Sequence, residues 1–282
     1  MLRRTKKRRS TAALIALALV LCAQAPAAGQ ETLRIGGVGS ALGTIRLVSD
    51  AFEKSHPGMK VRVLPSLGSS GGIKAVLDGR IDIALSGRPL NKDEKSLGAA
   101  AREYARSPFV FVTSNKNVSG ISLREVIDIY EGRLHVWQDG RRIRLVMRPA
   151  SDTATLILKA VSPRMASAVD AALSRGGMIT AVTDQESADT IEKTPGAFGM
   201  STLDQITSEK RHFRVLAFNG VEPSIKSLST GAYPIFKPVY VITAGRSSPL
   251  AHRFIAFLFS KPGSAILSEN GNMVMKGSSA AE

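Results

Sequence analysis

Between residues 30 and 90 the chain writes the same unit twice: a short apolar run, a cluster of glycines, then apolar residues at helical spacing. Strand, glycine loop and helix in succession are the grammar of a parallel sheet with helices laid across it. In the first copy, residues 33–35 read as a strand. Gly36, Gly37, Val38, Gly39 and Ser40 form the loop, and Ile45, Val48 and Phe52 share one helix face before Pro57-Gly58. In the second, residues 60–64 alternate as a strand, with Val61 and Val63 on one side. Gly68, Ser69, Ser70, Gly71 and Gly72 then open a helix carrying Ile73, Val76 and Leu77. Asp78-Gly79 turns the chain into a strand over residues 81–85, which ends on Ser86, Gly87, Arg88 and Pro89. Glycine lets backbone come close to a ligand, and free N–H groups at a helix start favour an anion. Residues 67–90 are therefore the organising stretch. Its plainer reading is an ordinary loop beside a solvated arginine, because short glycine motifs are weak signals.

The rest of the chain continues the alternation. Asn91 and Glu94 form a capping-box pair, predicting a helix to about Tyr104, and residues 109–113 read as a strand. Ser122 and Glu125 repeat the capping pair. Trp137-Gln138-Asp139-Gly140 is a turn before a strand over 143–147. Arg148 ends that strand, and Ser151, Asp152, Thr153 and Thr155 open the next helix. Pro163 suits the first turn of a helix to about Leu173, and Thr183-Asp184 can cap a helix to about Lys193. Strands follow near 178–182, 197–200, 213–217 and 239–243. Residues 228–238 read as a crossing segment, residues 249–259 and 263–269 as helices, and the tail from Lys276 as frayed.

Charge and composition narrow the function. Six of the basic residues behind the net charge of +15 are Arg3, Arg4, Lys6, Lys7, Arg8 and Arg9, with no acid among the first thirty residues. An apolar run over 12–21 and small residues at Ala23, Ala25, Ala27 and Ala28 complete the pattern of a cleaved export signal, residues 1–28. The single cysteine, Cys22, lies inside it and follows Leu21, which does not suit a lipid anchor. The mature chain is thus expected to be cysteine-free and periplasmic. Four histidines lack metal-ligand spacing, and no nucleophile–base set can be argued, so no metal, cofactor or enzyme activity is expected. Dispersed basic charge with 5% aromatic residues does not suit a nucleic-acid groove.

Four motifs in this order resemble the phosphate-type solute-binding proteins of ABC transporters. They are GSALG at 39–43; GSSGG at 68–72 running into SGRPL at 86–90; WQDG at 137–140 with the strand ending on Arg148; and TPGAFG at 194–199 with GVEPS at 220–224 and YPIFKPVY at 233–240. The resemblance covers residues 33–277. It implies a bilobed α/β fold of the periplasmic-binding-protein type, two α/β/α lobes joined by a two-segment hinge. Residues 31–115 with 236–282 would form the first lobe and 116–235 the second, with crossings near 112–117 and 231–238. It implies capture of phosphate or a similar tetrahedral oxyanion between the lobes by a monomer, and delivery to a membrane permease. An anion-sensing surface protein feeding a signalling partner is the alternative.

Carried over by position, Ser40, Ala41 and Leu42 would offer backbone N–H groups, and Ser40 a hydroxyl as well. Ser69 would give a hydroxyl, Ser70 or Gly71 an N–H, and Ser86 would stand at the strand end. Arg148 would be the main charge, with Asp152 and Thr153 in the loop after it. Two departures bear on selectivity. Relatives known for phosphate carry an Asp after the strand-end serine, which accepts the anion's proton; here Gly87 stands there and Arg88 follows, a candidate second cation. Asp152 stands where a small hydroxyl residue is usual, either as a replacement proton acceptor or as a plain helix cap.

Overall fold

The computed structural model describes residues 31–245 and 247–275. The expected export signal with Cys22 and the tail from Lys276 lie outside the described residues. One sheet runs through the molecule in the order Lys60–Ser66, Thr32–Gly37, Ile83–Ser86, Phe236–Ala244, Ala99–Thr113, Ala197–Thr202, Arg144–Met147, Ile179–Thr180. The three strands at each end run parallel among themselves. Between them the long strands Ala99–Thr113 and Phe236–Ala244 pair antiparallel with each other and with the inner strand of each parallel set.

Two cores hang on this sheet. Leu33, Ile35, Ile45, Phe52, Ile83 and Phe254 pack in one with Tyr104 and Ala105. Ile73, Val76, Ala84 and Ile242 bury the opposite face of the same strands. The second core holds Val126, Tyr130, Val146, Met165, Ile191 and Phe198 together with Phe109, Val110, Phe111 and Val112. The fold is therefore mixed α/β and bilobed, and Ala99–Thr113 serves both lobes. The change of core falls between Ala105 and Phe109, ahead of the crossing expected at 112–117. A strand can pass between cores without breaking its ladder, so no turn residue marks the point. Phe109 N–H still bonds the Ile235 carbonyl there, at 3.0 Å.

Helix starts follow the capping chemistry. Asn91 with Glu94 and Ser122 with Glu125 both form reciprocal capping boxes. Pro163 sits in the first turn of Pro163–Leu173, where Ser162 caps Met165 N–H. The helix expected to reach Tyr104, however, spans only Lys92–Ser96. Gly98, at φ +87°, ends it, and residues 99–104 continue as strand. Alanine, arginine and glutamate favour helix locally, but Ala101, Arg102 and Glu103 find their partners in Ile242, Val241 and Tyr240 across the ladder. Among the described residues no helix is long and apolar enough to cross a membrane.

Candidate functional site

The first lobe brings two uncapped helix starts to the junction of the lobes. After the strand Thr32–Gly37 a 3-10 turn, Gly39–Ala41, leads into the helix Leu42–Ser55, and no side chain caps either start. Ser40, Ala41 and Leu42 are all buried. Leu42 N–H closes the turn on the Gly39 carbonyl, and Ser40 Oγ has no hydrogen-bond partner among the described residues. The second start, Gly68–Leu77, also lacks a side-chain cap. Gly72 lets this helix lie on the first strand: a Cβ there would stand 2.8 Å from Gly37 Cα.

Ser69 joins the lobes. Its Oγ accepts Gly87 N–H at 2.9 Å and shares a 3.1 Å hydrogen bond with Thr153 Oγ1 of the second lobe. Ser70 and Gly71 lie on the exposed side of that helix start. Together with Pro149, Ser151, Asp152, Thr153 and Val182 of the opposite lobe, they line a cavity of about 190 Å³. Ser86 turns inward on its own segment: its Oγ donates to the Arg88 carbonyl at 2.7 Å and accepts Arg88 N–H at 3.2 Å. The Arg88 guanidinium faces its own lobe. It bonds both Glu94 carboxylate oxygens, at 2.9 and 2.7 Å, Ser70 Oγ at 3.0 Å and the Pro89 carbonyl at 3.0 Å. It is thereby committed to structure rather than to the junction.

The second lobe supplies the charge. Arg148, 3% exposed, follows the strand Arg144–Met147. It donates to the Ala181 carbonyl at 3.0 Å and to Asp152 Oδ2 at 2.8 Å, while its Nε has no partner among the described residues. Asp152 caps the helix Thr153–Ala160 through Oδ1, which accepts Ala154 N–H at 2.8 Å. Both carboxylate oxygens of Asp152 are thus engaged.

Two residues absent from the sequence reading of the site complete the cluster. Asp184 begins the helix Asp184–Lys193 and reaches across the junction. Its carboxylate accepts Ser40 N–H, lies 3.2 Å from Lys237 Nζ and stands 3.9 Å from Arg148 NH2. Lys237, 1% exposed, comes from the crossing strand Phe236–Ala244. Burial would raise the Asp184 pKa, but Lys237 and Arg148, with the hydrogen bonds from Lys237 and Ser40, outweigh it and hold the carboxyl below its ordinary range. Lys237 also explains Gly87. A Cβ at residue 87 would meet Lys237 Cε at 2.9 Å and Thr153 Cγ2 at 3.1 Å, so the lysine stem fills the space a side chain would need. In sequence Asp184 reads as a capping residue, and Lys237 falls in the crossing segment 228–238, ahead of the strand expected over 239–243, so neither is marked as part of the site.

Ser40, Ser69, Thr153 and Arg148 are therefore brought to one junction between the lobes, directly or through Asp184. An arrangement of helix starts, hydroxyls and a buried guanidinium can replace the hydration of a small anion, and nothing in it forms a nucleophile–base pair.

Residues 23–262 match the PBP superfamily domain, and the chain belongs to that superfamily. Among curated relatives, the phosphate-binding protein PstS of Bacillus subtilis is 26% identical over 242 residues, covering 82% of this chain and 76% of its own. A protein of Clostridium perfringens crystallised with bound phosphate shares the fold at a TM-score of 0.75 and 19% identity, covering 87% of this chain and 100% of its own. An ABC-type phosphate transport receptor from Vibrio cholerae matches at a TM-score of 0.60 and 18% identity, covering 86% of this chain and 99% of its own. The resemblance drawn from the four motifs is borne out by these relatives.

Proposed function

We propose that this chain captures phosphate or a closely similar tetrahedral oxyanion at the junction of its lobes, outside the cytoplasm, and presents it to the membrane permease of an ABC transporter. The observation that carries this reading is the meeting of uncapped helix starts from the first lobe with the buried Arg148 and the Thr153 helix start of the second. The Bacillus subtilis relative, a phosphate-binding protein, supports it. In this reading Ala41 offers a backbone N–H and Ser40 its hydroxyl, since Leu42 N–H closes the turn on Gly39 and Ser40 N–H bonds Asp184; Ser69 and Thr153 offer hydroxyls, and Ser70 or Gly71 an N–H at the cavity. Arg148 supplies the charge. Asp152 orients Arg148 and caps its helix, and Ser86 shapes the turn that presents Gly87.

The lobes then comprise residues 31–105 with 239–275, and 109–235. They exchange strands at 105–109 and 235–239, which act as the hinge. An anion that touches both lobes favours their closed arrangement, and the chemistry ends at binding and release. Titration calorimetry of the mature chain with inorganic phosphate tests the reading. Saturable one-site binding is expected, and absence of binding to phosphate, arsenate and sulfate alike would overturn it.

A further inference from the structure

We propose that the second lobe carries a separate ligand site, at the end of its sheet opposite Arg148: a cavity bordered by Arg142, Arg144 and Arg175 that takes a small amphipathic organic anion, an oxyanion head on an apolar body. The inference does not depend on the reading of the junction.

The cavity holds about 380 Å³, between the end of the helix Leu123–Glu131 and the first residues of the strands Arg144–Met147 and Ile179–Thr180. Sites for small molecules usually measure about 300–1,000 Å³. Arg144 begins the strand that Arg148 follows, so at about 3.3 Å per residue the two stand roughly 13 Å apart along it. The walls are apolar: Ile129, Leu134, Leu145, Met178 and Ile179. Ile179 is 38% exposed, an apolar surface that a ligand body would cover.

Charge singles this cavity out. Among the described residues the Arg142 side chain makes no hydrogen bond or ion pair, Arg144 donates only to the Pro195 carbonyl, at 2.6 Å, and Arg175 only to the Tyr130 carbonyl. Arg175 Nε is buried without a partner. Gly132, at φ +79°, leaves room for this guanidinium, because a Cβ there would collide with Arg175 Nη1. Other arginines of this protein are matched: Arg88 holds Glu94, and Arg211 holds Asp189 and Glu209. Here no acidic side chain lines the cavity among the described residues. Glu131, next to Gly132 in sequence, is already held by Arg133, with Arg164 at 3.9 Å. Three like charges around one concave wall repel one another and concentrate positive potential there, a cost that a bound anion removes. Guanidinium forks match the paired oxygens of a carboxylate or a phosphate.

Calorimetry of the mature chain, with inorganic phosphate saturating so that the junction stays occupied, tests the proposal with three probes that share one tail: octanoate, octyl phosphate and 1-octanol. Each anion should bind once per chain and at least ~10-fold more tightly than octanol. Arg142→Ala, at a side chain the fold does not use, should weaken both anions at least ~3-fold and leave the affinity for inorganic phosphate unchanged. Arg175→Gln, its fold checked by thermal unfolding, should weaken them at least ~10-fold. Octanol binding as tightly as the anions would reduce the cavity to an apolar crevice and overturn the proposal. Binding of neither anion, or anion binding that neither variant weakens, would overturn it as well. A chain that takes the octyl anions but no inorganic phosphate would support this site and count against the junction reading instead.

Discussion

The two walls of the junction are built from different chemistry. The first lobe presents neutral groups: the amides of the Ser40 turn and the Ser69 hydroxyl at another uncapped helix start. The second presents full charges, Arg148 with Asp152 and Asp184, and the crossing strand adds Lys237. Neutral donors can stand in a narrow crevice at small cost, since water serves them when nothing else does. A buried guanidinium cannot, because an unpaired buried charge is expensive. The second lobe therefore carries its own counter-ions, Asp152 and Asp184, beside Arg148. Affinity should then depend steeply on the charged wall and shallowly on the neutral one.

Removing Arg148 tests this contrast most severely. Arg148→Ala leaves Asp152 and Asp184 facing the anion with one cation fewer. Binding should weaken by about 3–5 kcal/mol, the usual loss when one member of a buried charge pair is deleted. Calorimetry reads this directly; a loss below ~1 kcal/mol would place the guanidinium outside the anion's reach.

A second contrast lies within the charged region, between two buried carboxylates. Asp184 has two cations close by and is held below the ordinary range. Asp204 is pushed up to about 6, chiefly by burial, which its hydrogen bonds and the more distant charge of Lys237 only partly offset. Its folded value thus lies above the ~3.9 of an unfolded chain. Between the two, the folded protein binds more protons, so stability falls as pH rises through this window, and the cost is complete above pH 6. Asp204→Asn should raise stability by about 2–3 kcal/mol at pH 7 and by almost nothing near pH 4. Denaturant unfolding at both pH values checks it, and an equal effect at each would mean the carboxyl does not titrate in that window.

The neutral wall predicts a smaller change. Ser69→Ala removes the acceptor for Gly87 N–H and the contact to Thr153 across the junction. A loss of about 1–2 kcal/mol in anion affinity is expected, as for a neutral hydrogen bond. A loss matching that of Arg148→Ala would erase the distinction between the walls.

What could be read from the sequence follows the range of the interactions involved. The capping boxes at Asn91 and Ser122, the proline start at Pro163 and the two glycine loops are set by neighbours a few residues apart, and all are visible in one dimension. The strand over residues 99–104 is not, because its helix-favouring residues are overruled by a partner strand beginning at Phe236. The change of core is hidden for the same reason: Ala105 and Phe109 lie on one unbroken strand, and no local residue marks that they fill different cores. Asp184 and Lys237 stand 53 residues apart, and each has an ordinary local role. Their joint meaning, including why residue 87 must be small, exists only once the lobes meet.

Arg88 gives the finest test, because by residue type alone it equals Arg148. Both follow a strand of the sheet, and both were candidates for the anion's cation. Arg148 is almost wholly buried among carboxylates at the junction, whereas the Arg88 side chain is 23% exposed and bonds both oxygens of Glu94. Glu94 in turn accepts Asn91 N–H, so the pair ties the strand end to the next helix start. Arg88→Ala should therefore cost no more than about 1 kcal/mol of stability, the usual worth of a partly exposed ion pair. Anion affinity should stay within about twofold, since no donor of the junction is removed. A tenfold loss of affinity at unchanged stability would instead show that the guanidinium leaves Glu94 for the anion, and that the first lobe contributes charge after all.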